Sequence, residues 1–124
     1  MSAFLPEAFE IVVDHLLDPQ SPKSEPFFRT AVGRAYYAAH LSARELLLAK
    51  KRRVARGSRG QVTHPGVIDA LRSGPNPGVG DKLHQLGKLR ERADYDLGTP
   101  VGLPEAQAAK LLVREILSKL NNAT

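Results

Sequence analysis

The stretch RTAVGRAYYAAHLSARELLLAK, residues 29–50, repeats apolar side chains about every 3.6 residues and therefore predicts a long helix. Its main apolar stripe consists of Phe28, Val32, Ala35, Ala39, Ala43 and Leu46. One flank carries Arg29, Tyr36, His40 and Leu47 beside Gly33, and the far side carries Thr30, Tyr37, Leu41, Arg44 and Leu48 with Arg34 nearby. A helix that is apolar on opposite sides needs a partner on each side. We expect one side to pack on the chain's own bundle and the other on a second copy. The predicted dimer interface consists of Tyr36, Tyr37, Leu41, Arg44 and Leu48.

The flank of this helix that carries Arg29, Tyr36 and His40 leaves two interpretations open. The three side chains could hold a nucleotide by phosphate contact and base stacking. They could instead be half-buried in the core or in an interface, where Tyr and His are common. Gly33 favours the second interpretation, because a glycine inside a helix costs about 1 kcal/mol and is typical of a position that another backbone approaches closely.

Helices are also predicted on either side of this segment. Helix one ends before Pro19, and Ser24 or Glu25 begins the long second helix. A short helix over residues 67–72 follows. Residues 73–80 contain three glycines and two prolines and are predicted to be irregular.

Two more helices complete the predicted fold. Asp81 begins the third main helix, and Pro104 begins the last one. One face of the third helix carries Leu83, Leu86, Arg90, Ala93, Asp94 and Leu97. No segment has the alternation and β-branched content of a strand. The predicted fold class is all-α, an up-down four-helix bundle with an extra short helix in the crossover between helices two and three. With 124 residues, the chain is predicted to form a single domain over residues 1–124.

The composition excludes several classes of protein. The sequence has no cysteine, which excludes disulfides and thiolate metal sites and fits a reducing compartment. No apolar run reaches the ~20 residues of a membrane span. Residues 1–9 lack the basic start and apolar stretch of a signal peptide, and no His or carboxylate cluster has the spacing of metal ligands. We expect a cytoplasmic protein that uses no metal and no cofactor and has no membrane partner.

Positive charge is concentrated in one segment of a chain whose net charge is +5. The cationic residues between Leu48 and Gly60 are Lys50, Lys51, Arg52, Arg53, Arg56 and Arg59. Such a segment can neutralise nucleic-acid phosphates with little dependence on base sequence, although no aromatic residue is interleaved for base stacking. The basic loop at about residues 50–63 is therefore a candidate nucleic-acid contact. The alternative is a solvated, mobile loop.

Two motifs resemble the HEPN domain family. The first is RAYYA at residues 34–38, followed by SARELL at residues 42–47, and the second is LRERADYD at residues 89–96. HPGV at residues 64–67 and PEA at residues 104–106 also match the order of the family, so that the resemblance covers roughly residues 4–120. It implies a bundle of four or five helices that is usually a homodimer. It also implies a small nucleotidyltransferase as partner and a toxin-antitoxin or stress-defence setting.

Many HEPN proteins are metal-independent ribonucleases, and the resemblance implies where their catalytic residues would lie. Those enzymes carry an Arg, four to six variable residues and then a His at the end of the third main helix. Arg90 and Arg92 stand at this place, but no His follows them. Two pairs elsewhere match the bare spacing, Arg34 with His40 and Arg59 with His64, and we assign both to chance.

Three functions follow from these patterns. The leading hypothesis is a non-enzymatic HEPN-like dimer that binds a nucleotide, RNA or a nucleotidyltransferase partner. The predicted ligand-binding residues are Arg34, Tyr37, Arg90 and Asp94. Arg90 and Asp94 could instead form a structural ion pair extended to Tyr37 or Tyr95. The enzyme alternative is a divergent metal-independent ribonuclease in which Arg90 or Arg92 works with an unconventional base such as Tyr95. The third is a purely structural assembly subunit.

Overall fold

The computed structural model describes residues 4–124, and its regular elements are helices. The helices are α1 (Phe9–Leu16), α2 (Glu25–Ala49), α3 (His64–Arg72), α4 (Pro77–Tyr95) and α5 (Leu103–Ala123), and a 3-10 turn covers Pro6–Ala8. Within residues 4–124 the only extended pairing is an isolated bridge between Arg56 and Val62. The predicted all-α fold class is confirmed. Helix α3 is the short helix in the crossover between the long helices α2 and α4.

Helix α2 is the central element, because it packs against α1, α3, α4 and α5. Ser24 stands at its N-cap position and Pro26 lies in its first turn, as the sequence predicts. Nearly half of its residues are buried, and most of the buried ones are small: Ala31, Gly33, Ala35, Ala38, Ala39, Ser42 and Ala43. Small side chains allow several neighbours to approach one helix at close-packed density. Much of the two-sided apolar pattern of α2 is therefore satisfied inside the chain.

Helix α3 begins at His64 and not at residue 67, where the sequence places its start. The Thr63 hydroxyl accepts a hydrogen bond from the Gly66 N–H at 3.0 Å and caps the helix. Pro65 lies in the first turn, where its missing N–H has no intrahelical partner to lose. The capping chemistry therefore adds a turn that places His64 on the helix.

Helix α4 also begins earlier than predicted, at Pro77 and not at Asp81. Proline suits the first turn of a helix, and the glycines that follow weaken a helix without preventing it. The prediction of an irregular structure over residues 73–80 is therefore wrong for its second half. The helix ends at Tyr95, so that Leu97 lies beyond it and is 82% exposed. Leu97 does not belong to the apolar face that the sequence assigns to it.

Arg29 fastens the C-terminal end of α4 to α2. Its guanidinium donates to four backbone carbonyls, those of Arg92 (3.0 Å), Ala93 (2.9 Å), Asp96 (3.2 Å) and Thr99 (2.8 Å). It also pairs with Glu25 on α2 at 2.7 Å. The last carbonyls of a helix have no intrahelical partner, and a cation at that end interacts favourably with the helix dipole. Arg29 is thus occupied in a structural contact.

A close backbone approach occurs at Gly80 and not at Gly33. A Cβ on Gly33 would meet Asp94 Oδ1 at 3.7 Å, which is an ordinary contact, so the prediction of a close backbone approach there is wrong. A Cβ on Gly80 would lie 2.9 Å from the Ile68 carbonyl oxygen and 3.0 Å from the Arg72 nitrogen. The missing side chain of Gly80 therefore lets α4 pass close to the backbone of α3.

Substituting these two glycines is expected to change stability in opposite directions. Gly80→Ala should lower the free energy of unfolding by about 1–3 kcal/mol, because the backbone of α3 must move. Gly33→Ala should raise it by up to about 1 kcal/mol, because the helix propensity improves and the methyl group fits. Urea unfolding followed by circular dichroism measures both. Equal effects of the two substitutions would contradict the packing described for α3 and α4.

Candidate functional site

Arg90, on α4, lies among three tyrosines. Its Cζ is 5.0 Å from the ring centre of Tyr36, 5.9 Å from that of Tyr37 and 5.7 Å from that of Tyr95. Its Nη1 lies 3.5 Å from a carboxylate oxygen of Asp94, so the structural ion pair considered from the sequence does form. Only 13% of the Arg90 side chain is exposed, and its Nε is buried without a hydrogen-bond partner in residues 4–124. The tyrosine rings favour the cation, while its hydrogen-bonding capacity remains partly unused.

Tyr36 joins Arg90 to two histidines from different helices. His40, in the middle of α2, is stacked on Tyr36 with ring centres 5.5 Å apart. His64, the first residue of α3, lies 4.1 Å from the ring of His40 and 5.5 Å from that of Tyr36. The Tyr36 hydroxyl and His64 Nδ1 are 2.6 Å apart and share a hydrogen bond. Arg90, Tyr36, His40 and His64, which we call the Arg90 cluster, therefore connect α2, α3 and α4.

Burial keeps the three rings of this cluster uncharged near neutral pH. It lowers the pKa of His40 to about 3, and it lowers the pKa of His64, with the charge of Arg90 as the second cause. It also raises the pKa of Tyr36 to about 12. The Nε2 atom of His64 has no protein partner in the described part of the chain. It is a donor when Tyr36 donates to Nδ1, and an acceptor when Nδ1 donates to Tyr36.

A cleft of about 330 Å³ opens at the Arg90 cluster and is lined by Tyr36, His64 and Arg90. Its other lining residues are Pro65, Ile68, Asp69, Arg72, His84, Gly87, Lys88 and Glu91. Two of these cations are paired, Arg72 with Asp81 at 2.9 Å and Lys88 with Glu91 at 3.7 Å. The first turn of α3 adds the positive end of a helix dipole. The cleft therefore presents one half-buried cation and a neutral imidazole, with further cations along its lining.

The four residues predicted to bind a ligand are neighbours, but they do not share this cleft. They are Arg34, Tyr37, Arg90 and Asp94. The Cζ of Arg34 lies 5.4 Å from the ring centre of Tyr37 and 5.1 Å from that of Phe9. Of the four, only Arg90 lines the cleft. The structure thus offers a site displaced from the predicted one toward α3.

The three candidate catalytic residues differ in their surroundings. Arg90 lines the cleft, whereas Arg92 is exposed on α4 and does not line it. Tyr95 is near Arg90, but its side chain is largely exposed at the end of α4. Of the three candidates, only Arg90 is largely buried and lines the cleft.

The predicted dimer interface includes one residue that is not at the surface. Tyr36 is only 2% exposed, because α3 and α4 cover it, so it cannot contribute to an interface between copies. Tyr37, Leu41, Arg44 and Leu48 are half-buried and form a strip on α2. Without Tyr36, the predicted interface is reduced to these four residues, whose side chains are partly accessible.

The basic segment is partly tied to the fold. Lys50 donates to the Asn121 carbonyl at 2.8 Å, and Arg52 donates to the carbonyls of Thr124 at 3.1 Å and Ala70 at 3.2 Å. Arg56 donates to the Gly60 carbonyl at 2.8 Å within the loop. The other predicted nucleic-acid contacts, Lys51, Arg53 and Arg59, are exposed. Lys50 and Arg52 therefore fix the start of the loop against α3 and α5.

Sequence reasoning missed His64 as a site residue. The spacing of Arg59 and His64 along the chain matches the ribonuclease pattern, and we assign that match to chance. In the structure Arg59 is exposed in the loop. The partners of His64 are Tyr36 and Arg90, which lie on other helices, so no spacing along the chain could find them. One local signal was present. Thr63 followed by Pro65 is typical of a helix N-terminus, which would have placed His64 on a helix.

Neither a metal site nor a membrane-spanning helix is found in residues 4–124. No group of three or more His, Asp or Glu side chains within residues 4–124 is placed to hold a metal ion. In the same part of the chain, no helix combines the length and apolar character needed to cross a membrane. Comparisons with protein-family models, with curated proteins and with solved structures give no match.

The buried histidines should make the fold sensitive to acid. The folded pKa of His40 is about 3, below its ordinary value of 6.5, so the unfolded chain binds the proton more readily. The contribution of His40 to stability should be complete above about pH 7 and should be lost between pH 6.5 and about pH 3, with a slope that approaches about 1.4 kcal/mol per pH unit. Chemical unfolding at several pH values measures this slope.

His40→Leu should reduce the slope, and His15→Gln, which removes an exposed histidine on α1, should leave it unchanged. The same acid sensitivity in His40→Leu as in the unchanged protein would show that His40 is not held neutral by burial.

Proposed function

We propose that this chain binds a phosphate-bearing ligand, a nucleotide or RNA, in the cleft at the Arg90 cluster. The observation that carries the proposal is the guanidinium of Arg90, which is largely buried and has an unpartnered Nε within residues 4–124, beside the neutral imidazole of His64. An Arg fork matches phosphate oxygens in geometry and charge. The single ion pair to Asp94, at 3.5 Å, leaves donors of Arg90 for a ligand.

The surroundings of Arg90 support a phosphate rather than a neutral ligand. Lys88, Arg72 and Arg90 outnumber Asp69 and Glu91 in the cleft lining, and the N-terminal turn of α3 favours negative charge. His64 Nε2 can donate a second hydrogen bond in one of its tautomers. The volume of about 330 Å³ is at the lower end of the range for small-ligand sites and suits a mononucleotide or one residue of an RNA.

The basic loop supports an extension of this site toward RNA. It leads along the chain directly into His64, and its Lys51, Arg53 and Arg59 are exposed. Exposed cations beside a phosphate site add affinity that depends on salt and hardly on base sequence. We therefore include these three residues among the proposed nucleic-acid contacts.

The resemblance to the HEPN family extends the proposal from the ligand to the assembly. It favours a homodimer, a small nucleotidyltransferase as protein partner and a toxin-antitoxin or stress-defence setting. Within this proposal Arg34, Tyr37 and Asp94 form a neighbouring surface for the ligand or the partner, because they adjoin Arg90 without lining its cleft.

Replacing Arg90 should weaken ligand binding. Arg90→Gln removes a charge-assisted contact of about 1.5–3 kcal/mol, so the affinity for AMP or a short single-stranded RNA should fall about tenfold or more. Arg92→Gln is the matched control, since it removes the same charge from an exposed position on the same helix. Calorimetry gives the affinity, and the melting temperature shows whether each variant is folded.

Equal affinities of these two variants would contradict the proposed site. If neither probe raises the melting temperature of the unchanged protein, while a protein partner is recovered by pull-down, the chain is instead a structural assembly subunit.

A second function, metal-independent RNA cleavage, is favoured by His64. In the tautomer in which Nδ1 donates to Tyr36, Nε2 is free to accept the proton of a ribose 2′-hydroxyl. The 2′-oxygen then attacks phosphorus, the bond to the 5′-oxygen breaks, and His64 returns its proton to that oxygen. Arg90 would stabilise the charge on the phosphate. Under this alternative His64 is the general base. It replaces the His that is missing from the third main helix, and Tyr95 is then not needed as a base.

Cleavage of RNA by the purified protein in EDTA tests this alternative. We expect His64→Gln and Arg90→Gln each to reduce the rate about a hundredfold or more, because a general base contributes that much and the loss of one group that stabilises developing charge costs a similar factor. Tyr95→Phe should retain the rate. A loss of activity in Tyr95→Phe with full activity in His64→Gln would return the role of base to Tyr95.

A homodimer should form through the half-buried strip of Tyr37, Leu41, Arg44 and Leu48. Sedimentation at micromolar concentration is expected to give twice the mass of one chain. Leu41→Glu with Leu48→Glu should yield a monomer, because two charges would then be desolvated in the interface. Leu111→Glu, at an exposed position on α5, should leave the dimer intact. A monomeric mass for the unchanged protein would reject the dimer.

A further inference from the structure

A second and larger cavity lies apart from the Arg90 cleft. It is formed by the Pro6–Ala8 turn, the C-terminal half of α2 and α5, has a volume of about 800 Å³, and shares no lining residue with the Arg90 cleft. We call it the α2–α5 groove. Its apolar lining includes Leu46 on α2 and Leu117 on α5. At its edge lie Phe4 and Leu5, which are 65% and 60% exposed. Large apolar side chains that remain this exposed beside a groove are typical of an interaction site.

The α2–α5 groove is acidic although the protein as a whole is basic. Glu7, Glu10 and Glu45 line it, and its only basic lining residue in the described part of the chain is Arg114. Arg114 forms ion pairs with two acids, with Glu10 at 4.0 Å and with Asp14 at 3.2 Å. Glu45 is paired with Arg44, which lies outside the lining, at 3.2 Å. Glu7 and Glu10 therefore supply the negative charge that the groove's own cation does not balance.

The pKa of Glu10 is consistent with this crowding. It is raised by burial and by the nearby charge of Asp14, and Glu7 raises it further, against the opposing effect of Arg114. A second cation near Glu10 would relieve the repulsion among these carboxylates. The apolar lining and the acidic residues together define the chemistry of what can bind here.

We propose that the α2–α5 groove is the docking site of a cationic amphipathic segment of a protein partner. The apolar side chains of that segment would pack against Leu46, Leu117 and the exposed Phe4 and Leu5. Its Lys or Arg side chains would pair with Glu7 and Glu10 and would join the existing pair of Glu45 with Arg44. Peptides that carry an apolar face and cations at its edges bind grooves of this kind, and complementary charge gives such binding its specificity.

The surface of a second copy of this chain fits the groove less well. The basic loop supplies cations, but its Val54 is buried, so that it has little apolar surface to offer. The exposed Leu111 on α5 lies near Lys110 and Arg114, and both of these are already paired with Asp14. Neither segment combines exposed apolar side chains with unpaired cations, which favours a different protein as the occupant.

Three synthetic helical peptides of equal length test the proposal with the full-length protein. One combines Leu and Lys on opposite faces, the second combines Leu and Glu, and the third carries the same Lys residues with Ala in place of Leu. Fluorescence anisotropy of labelled peptides should show that the Leu/Lys peptide binds at least about tenfold more tightly than the other two. A comparable affinity of the Leu/Glu peptide would show that binding depends on apolar contact alone and not on charge, and it would overturn the proposal.

Two sets of variants with the same change in charge locate the binding. Glu7→Gln, Glu10→Gln and Glu45→Gln together should weaken binding of the Leu/Lys peptide about tenfold. Asp18→Asn, Asp81→Asn and Glu115→Gln together remove three exposed acids that line neither the groove nor the Arg90 cleft and should leave the affinity unchanged. Equal affinities of the two triple variants would overturn the proposal, because the peptide would then respond only to net charge.

An apolar variant keeps the test decisive if the acidic triple variant fails to fold. Phe4→Ser with Leu5→Ser changes two side chains that are already exposed, and it should also weaken binding of the Leu/Lys peptide. Sedimentation identifies the remaining occupant. If the unchanged protein self-associates and this double variant is a monomer, the groove holds a second copy and the proposed partner is wrong.

Discussion

The structure depends on the burial of one helix on several sides at once. Helix α2 contacts every other helix, and close packing around it is possible because most of its buried residues are alanine, glycine or serine. Close-packed interiors tolerate little change in volume, so the small residues fix how near α1, α4 and α5 can come. The remaining fold is arranged around this helix. Arg29 ties the end of α4 to it, and Gly80 lets α4 pass close to α3.

The same central burial creates the chemistry of the Arg90 cluster. Tyr36 and His40 lie on the flank of α2 that α3 and α4 cover, so their polar groups must be satisfied inside the protein. The Tyr36 hydroxyl finds its partner in His64, whereas His40 Nδ1 and Arg90 Nε have none within residues 4–124. A buried polar group without a partner is costly. Arg90 Nε is such a group and Arg90 lines an open cleft. A ligand in the cleft would provide hydrogen-bond acceptors for Arg90, which is the physical basis of the proposal.

Charge separates two surfaces that the net charge of the chain conceals. The Arg90 cleft is lined by three cations and two acids and adjoins the basic loop, whereas the α2–α5 groove is lined by three glutamates and one arginine. Interaction energies between exposed charges fall off over roughly 8 Å in physiological salt. Each surface therefore presents its own charge, and the two share no lining residue.

The sequence by itself determined the all-α class, the central helix and the helix in the crossover. It could do so because helical periodicity, capping residues and prolines act within a few residues along the chain. It also identified Arg90 and its ion pair with Asp94, since a separation of four residues is a neighbour relation on any helix. Only the tertiary structure decided that Tyr36 is buried, that the backbone approach occurs at Gly80 and that His64 belongs beside Arg90. Those facts depend on which faces of different helices meet, and such contacts between distant residues have no fixed spacing along the chain.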